Sequence, residues 1–276
     1  MAWHGRLELD YRRDGARTVA HDRHDGPLRV LQPLHPEGPG ICHHVLVHPP
    51  GGLVGGDVLE IDVNVQAAAH ALITTPGATR CYRSAGETAV QSVRARVADG
   101  ARLEWLPLEA IAYDGCLAES RVEIDLAPDA EAMGWDIVAL GLPASAQPFE
   151  RGRYLQSIEW PGHWLERGAI DARDRRLLDS PLGFAGRRVL ATAWLATGRA
   201  WNDARRDELL EAARAAIAGD ALEADTGITA AQPDVLVVRV LAPMVEPAHA
   251  LLVRVWRAWR AAAWGLDAVV PRVWRT

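Results

Sequence analysis

The chain has 276 residues, a formal charge of −6 and 49% hydrophobic residues, and its 30 basic side chains are all arginine. A mildly acidic chain of ordinary hydrophobicity does not favour a nucleic-acid or anionic-membrane partner, and no uncharged apolar stretch reaches bilayer length. Three scattered cysteines (Cys42, Cys81, Cys116) make no disulfide framework, and the opening MAWHGRLELDYRRDG lacks a leader's apolar run, so the expected setting is a reducing cytoplasm.

From residue 5 to about 160 the pattern has period two. LEIDVNV (59–65), VRARV (93–97) and RVEIDL (121–126) each set apolar residues on one strand face and polar residues on the other, with Gly- and Pro-rich breaks between them. Three segments share a frame: DVNVQAAAHALITT (62–75), RARVADGARLEWLP (94–107) and EIDLAPDAEAMGWD (123–136). In each, an apolar residue (Val65, Val97, Leu126) is followed four positions later by an alanine (Ala69, Ala101, Ala130) and then by a second apolar strand. The spacings are 32 and 29 residues, with weaker echoes at LDYRRDGARTV (9–19) and SIEWPGHWLERG (157–168). A strand–turn–strand unit of this length cannot cover its own apolar face. The repeat therefore points to stacked β-coils, with meander hairpins in a sandwich as the alternative.

The last quarter changes character. DARRDELLEAARAAIAG (203–219) predicts a helix that Asp203 can cap, with Leu209, Leu210, Ala213 and Ile217 on one face and Gly219 as its stop. DVLVVRVLA (234–242) reads as a buried strand. EPAHALLVRVWRAWRAAAWGL (246–266) predicts a second helix with Pro247 in its first turn. The expected fold is mostly β, a stacked, helical, β-solenoid-like body over about residues 5–200. Two helices follow near the C-terminus, at about 204–218 and 246–265, and a single domain spans 1–276.

HPPGGLVGGD (48–57) concentrates Pro49, Pro50, Gly51, Gly52, Gly55 and Gly56. It lacks the Lys-Ser/Thr of a P-loop. It runs into VLEIDVNV, which alternates as a strand, so no helix N-terminus follows to hold a phosphate. A wide turn or bulge fits it, leaving His48 and Asp57 as possible metal ligands at its mouths. His35, Cys42, His43 and His44 add nitrogen and sulfur donors, but their spacing is poor for a closed zinc site, and a strand points His43 and His44 to opposite faces. Cys81 and Cys116 have no activating motif, and G-x-S-x-G is absent. In TTPGATRCYRS (74–84), Pro76-Gly77 marks a turn, and Arg80 and Arg83 are either solvated or anchors for a partner's carboxylates. EWLPLEAIAYDG (104–115) sets Glu104, Glu109 and Asp114 among apolar residues, on a polar strand face or along an internal polar path. The final helix carries Trp256, Trp259 and Trp264 with Arg254, Arg257 and Arg260, which suits core packing under a basic face or a partner interface.

HPPGGLVGGD, TTPGATRCYRS, ARLEWLPLEAI (101–111) with YDG (113–115), and the terminal PRVWRT (271–276) together resemble the urease accessory protein family called UreD or UreH. The resemblance covers the chain in outline, and two positions depart from the family pattern, Cys81 and Leu108. It implies a mostly β, non-enzymatic protein that binds apo-urease and acts with UreF and the GTPase UreG to deliver nickel, with no tightly bound cofactor. It also implies an internal route for transient nickel(II), for which Asp57, Glu104, Glu109, Asp114 and His48 are the candidates here. Arg80, Tyr82, Arg83, Trp256 and Trp259 are the candidates for partner contacts, and the proline–glycine residues, with Pro76 and Gly77, for structural turns. A purely structural assembly module without a metal role is the alternative.

Overall fold

The computed structural model describes residues 2–142 and 145–275, so Thr276 of the terminal PRVWRT motif lies outside the described residues. The chain opens with an antiparallel hairpin, β1 (His4–Asp14) and β2 (Arg17–Asp25). A first coil follows: β3 (Arg29–Val30), β4 (Ile41–Val47) and β5 (Gly52–Leu53). Two fuller coils come next, β6 (Val58–Val65), β7 (His70–Thr74) and β8 (Thr79–Cys81), then β9 (Ala89–Val97), β10 (Arg102–Leu106) and β11 (Ala110–Ala112). β12 (Cys116–Leu126) and β13 (Glu131–Leu140) make another, and the hairpin β14 (Gly152–Trp160) and β15 (Trp164–Asp171) ends the stack. After a short helix α1 (Arg175–Asp179) come β16 (Val189–Thr197), α2 (Asp203–Ile217), β17 (Thr226–Gln232), β18 (Val235–Ala242) and α3 (Val245–Trp259).

Among the described residues the strands form two main sheets. The first has seven strands in the order β15-β14-β12-β9-β6-β1-β2, with β1, β6, β9, β12 and β14 mutually parallel. The path of the second runs β17-β18-β16-β13-β10-β7-β4-β3, parallel from β4 to β13 and antiparallel from β13 to β17. The short strands β5, β8 and β11 make a narrow third side joined to β13.

The repeat predicted from sequence is this stack. Val65 sits beside Val97, and Val97 beside Leu126, in one parallel row. Ala69, Ala101 and Ala130 follow at the corner, all buried, where a larger side chain would hold successive coils apart. The two weaker echoes are not coils. Residues 9–19 and 157–168 lie in the hairpins β1–β2 and β14–β15, which fold straight back and close the two ends of the first sheet, as terminal units of a stacked repeat must.

The layers are sheet, sheet and helices. One apolar core lies between the two sheets and a second between the second sheet and α2 with α3. β7, β10 and β13 are buried on both faces, and their alternation sorts side chains between the cores: Leu103 and Trp105 to the first, Leu106 and Met133 to the second. β17 and β18 rejoin the second sheet beyond α2, so the β body reaches residue 242 rather than about 200. α2 is capped by Asn202, whose side chain accepts from the Arg205 N–H, and not by Asp203, which is its first helical residue. Leu209, Leu210, Ala213 and Ile217 are its buried face, as its spacing predicts. α3 passes at Arg260 into a π turn (Arg260–Trp264) that ends at Gly265 with φ of 64°.

Candidate functional site

The parallel coils enclose a cavity of about 280 Å³. Its walls come from inward-facing residues of both sheets: Ile61, Gln91, Ser120, Val122 and Tyr154 from the first, and Leu46, Trp105 and Asp136 from the second. Its mouth lies on the third side, between His48, Gly51 and Gly52 of the proline–glycine corner and the turn Thr75–Arg80. Gln91, Ser120 and Gln156 occupy one register row on β9, β12 and β14, making a polar stripe inside an otherwise apolar core. Asp136 faces that stripe, its Oδ2 3.4 Å from the Ser120 hydroxyl. Thr192, its partner across β13–β16, is also buried. The Gln156 amide lies against the Asp136 carboxyl, and the Thr192 Oγ1 has no hydrogen-bond partner. Burial pushes the Asp136 carboxyl up to about 6, with the Gln156 amide and then the Ser120 hydroxyl opposing part of the rise. This acid therefore changes charge close to neutral pH.

The residues singled out from sequence are divided among four places. His48 lines the mouth, and burial holds its imidazole below its ordinary value, with Asp57 opposing. Asp57 is buried, and both of its oxygens are engaged by main chain: Oδ1 accepts from the Trp3 N–H at 2.8 Å and Oδ2 from the Val54 N–H at 2.9 Å. Asp114 accepts from the Arg151 guanidinium and from the Arg151 and Glu150 N–H groups, which lower its pKa, and Arg83 lies at 3.7 Å. Glu109 lies between the wall residues Leu108 and Ala110, half-buried; burial raises its pKa and the nearby Glu246 adds to the rise. Glu104 faces away from the cavity, into the helix-side core.

Glu104 belongs to a second polar cluster. Its Oε1 is 2.7 Å from His70 Nε2, and its Oε2 accepts from the Trp256 indole at 2.5 Å and lies 3.4 Å from Arg260 Nε. Arg260 Nη1 donates to Glu37 Oε2 at 2.8 Å, and Glu37 Oε1 is 2.6 Å from His43 Nε2. The chain His43–Glu37–Arg260–Glu104–His70 is buried throughout. His44 points the other way, as alternation predicts, into the inter-sheet core, where its Nδ1 is 2.8 Å from the Tyr11 hydroxyl and burial lowers its pKa to about 4.

Arg80, Tyr82 and Arg83 are exposed on the third side, and Tyr82 stacks on Tyr113 with centroids 5.2 Å apart. Trp256 and Trp259 are not on the surface: they are 2% and 1% exposed, packed between α3, α2 and the second sheet, with the Trp259 indole donating to the Leu209 carbonyl. Arg260 is likewise fully buried, so the expected basic face of α3 narrows to Arg254 and Arg257. Burial raises all three thiols, Cys42 and Cys116 to about 12, and leaves them without nucleophilic character near neutral pH. Among the described residues no group of three or more His, Cys, Asp or Glu side chains is arranged to hold a metal ion, and no helix is long and apolar enough to cross a membrane.

The corner ends in strand β6, so no helix N-terminus faces it. Gly51 and Gly56 take φ of 76° and 90°, and the segment between them supplies β5, which pairs with β8. It is thus the third side of a coil and not only a turn. Asp136 went unsingled in the sequence, although a lone acid in MGWDIVAL, apolar on both sides of the alternation, was the available signal.

A family model described as UreD urease accessory protein matches residues 4–275. The urease accessory protein UreD of Leptothrix cholodnii is 63% identical over 278 residues, covering all of both chains. That of Variovorax paradoxus is 60% identical over 276 residues, again covering both, and that of Paracidovorax citrulli 59% over 274 residues and 99% of each.

Proposed function

The chain belongs to the UreD family of urease accessory proteins, and on that premise we propose that it is a non-catalytic scaffold that binds apo-urease and, with UreF and the GTPase UreG, carries nickel(II) as cargo toward the urease active site. The observation that carries this reading is the cavity: a largely apolar interior lined by His48 and by a polar stripe, with a buried carboxyl that can ionise near neutral pH among its walls. Carboxylate, carbonyl, hydroxyl and water oxygens bind nickel less tightly than thiolate and imidazole, so such a lane favours passage over retention. Asp136 supplies the charge and His48 the mouth ligand, whereas Glu109, between the wall residues Leu108 and Ala110, is not itself part of the lining and lies near Glu246 of α3. The engaged oxygens of Asp57 and Asp114 fit them to holding the walls, and Glu104 serves the helix-side cluster.

Partner contact falls to the exposed Arg80, Tyr82 and Arg83, because aromatic and arginine side chains are the types that dominate binding hot spots. The test is urease maturation by co-expressed accessory proteins, scored by urease activity and by nickel per urease active site. Asp136→Ala and His48→Ala are expected to leave the complex assembled and the urease short of nickel. Full nickel content with both variants, in complexes that still assemble, would leave the chain as an assembly module only.

A further inference from the structure

The last residues of the chain form no part of the cavity wall, yet they are tied to its mouth from the far side of the second sheet. After the π turn and Gly265, residues 266–271 run on without joining any strand. Leu266, Ala268 and Val270 alternate against the helix-side core. A single 3-10 turn, Arg272–Arg275, then brings Trp274 against three rings: His249 at 5.0 Å, Trp135 at 5.4 Å and Trp256 at 5.9 Å between centroids. The Trp274 indole donates to Thr74 Oγ1 at 2.7 Å, and that hydroxyl donates to the Leu106 carbonyl at 2.6 Å. Thr74 and Leu106 are the last residues of β7 and β10. One step further on, the Leu108 N–H donates to Thr75 Oγ1 at 2.9 Å, and Trp135, against which Trp274 packs, donates its indole N–H to the Pro107 carbonyl at 2.7 Å. Thr75, Pro107 and Leu108 all line the cavity. A segment outside the sheets belongs to the less stable part of a fold, so its hold depends on the side chains it packs, and Trp274 is the largest of these.

We propose that the C-terminal segment is a strap that sets the opening of the cavity mouth, with Trp274 as its positioning residue. Docked, Trp274 fixes the Thr74 hydroxyl and the Trp135 ring, and through them the ends of β7 and β10 and the wall residues that follow. Released, it takes away an indole donor and the ring that backs Trp135. The turn Thr75–Arg80 is then left with its own bonds, Thr75 Oγ1 to the Gly77 carbonyl at 3.1 Å and the Thr79 N–H to the Glu109 carbonyl at 2.9 Å. The inference goes beyond the passage of nickel. It concerns access to the cavity whatever the cavity admits, so loss of the nickel reading would leave it standing.

Cys81 lies in the cavity wall and reports on the mouth. The purified full chain is alkylated with iodoacetamide, and each thiol is read by mass spectrometry, with Cys42, buried in the inter-sheet core, as the internal reference. Trp274→Ala is expected to raise the Cys81 rate relative to Cys42 by about tenfold, and amide exchange at Thr75–Arg80 by a similar factor, as local opening becomes easier. Trp274→Phe, which keeps a ring and drops the indole N–H, is expected to raise both by a smaller factor. Leu251→Ala, in the same helix-side core but outside this set of bonds, controls for general loosening and is expected to leave both rates near wild type. A folded Trp274→Ala whose Cys81 and mouth amides behave as in wild type, or change no more than in Leu251→Ala, overturns the proposal. If Trp274→Ala does not fold, Trp274→Phe decides, and rates equal to wild type overturn the proposal equally.

Discussion

Glu104 and Trp105 are neighbours on β10 and are buried in different cores. The Trp105 ring lines the inter-sheet cavity, while the Glu104 carboxylate faces α3 and joins Arg260, His70 and Trp256. Removing one partner of a buried charge cluster leaves the others unpaired in low dielectric. Glu104→Ala is therefore expected to cost about 3–5 kcal/mol, and Glu104→Gln, which keeps an acceptor for the indole, less. Urea unfolding with an unchanged m-value is the measurement. A shift for Glu104→Ala no larger than that of a surface substitution would mean that the cluster adds nothing to stability.

Asp57 fastens the N-terminal segment to the corner through the Trp3 and Val54 N–H groups. Two hydrogen bonds to a buried charged acceptor predict a loss of about 2–4 kcal/mol for Asp57→Ala, accompanied by faster amide exchange at Trp3 and Val54. Protection at these amides unchanged from wild type would contradict the assignment. Defective urease maturation in this variant then has to be read against its stability before any metal role is drawn from it.

Fold was legible where pattern is local. The frame shared by residues 62–75, 94–107 and 123–136 marks three coils because a stacked repeat must place equivalent residues side by side, and Val65, Val97 and Leu126 are so placed. The hairpins at either end carry the same apolar spacing, and only their antiparallel return distinguishes them. The interior was less legible. β7, β10 and β13 are buried on both faces, so alternation sorts residues into two groups without saying which group meets the helices. The cluster around Arg260 gathers residues 37, 43, 70, 104 and 260, and no local window contains them together.

The glycines of the two turns are not equivalent. A Cβ on Gly52 would lie 2.4 Å from the Tyr82 ring and 2.7 Å from the Arg80 carbonyl oxygen, whereas one on Gly77 would meet nothing within 4 Å. Gly52→Ala is expected to lose about 1–3 kcal/mol through overpacking against backbone. Gly77→Ala is expected to be neutral or to gain about 0.4–1 kcal/mol by restricting the unfolded chain. Chemical unfolding of the pair checks the contrast, and equal losses would refute it.

Tyr82 and Trp256 separate binding from folding. Tyr82 is 37% exposed on the third side, and Trp256 is 2% exposed under α3. Tyr82→Ala is expected to change stability by about 1 kcal/mol or less while weakening capture of the accessory partner or apo-urease, as truncation of an aromatic anchor does. Trp256→Ala is expected to cost about 3–5 kcal/mol. Capture assays on the folded Tyr82 variant decide whether this face makes the contact; wild-type affinity for every partner would remove Tyr82 from it.

Asp136 sets the sign of one pH dependence. Burial raises its carboxyl from 3.8 to about 6, so the folded chain holds this proton more tightly than the unfolded chain does. Stability contributed by that proton is fully present below the unfolded value, is lost as pH rises through about 6, and stays lost above it. A rise of about two pH units corresponds to about 3 kcal/mol. Asp136→Asn keeps the shape and removes the ionisation. It is expected to be more stable than wild type by up to about 3 kcal/mol at about pH 8, with the difference shrinking as the pH falls toward about 4. Urea midpoints across that range test the sign. A variant less stable at the alkaline end, or a difference independent of pH, would mean that the carboxylate is already compensated in the cavity and imposes no cost that a passing cation could relieve.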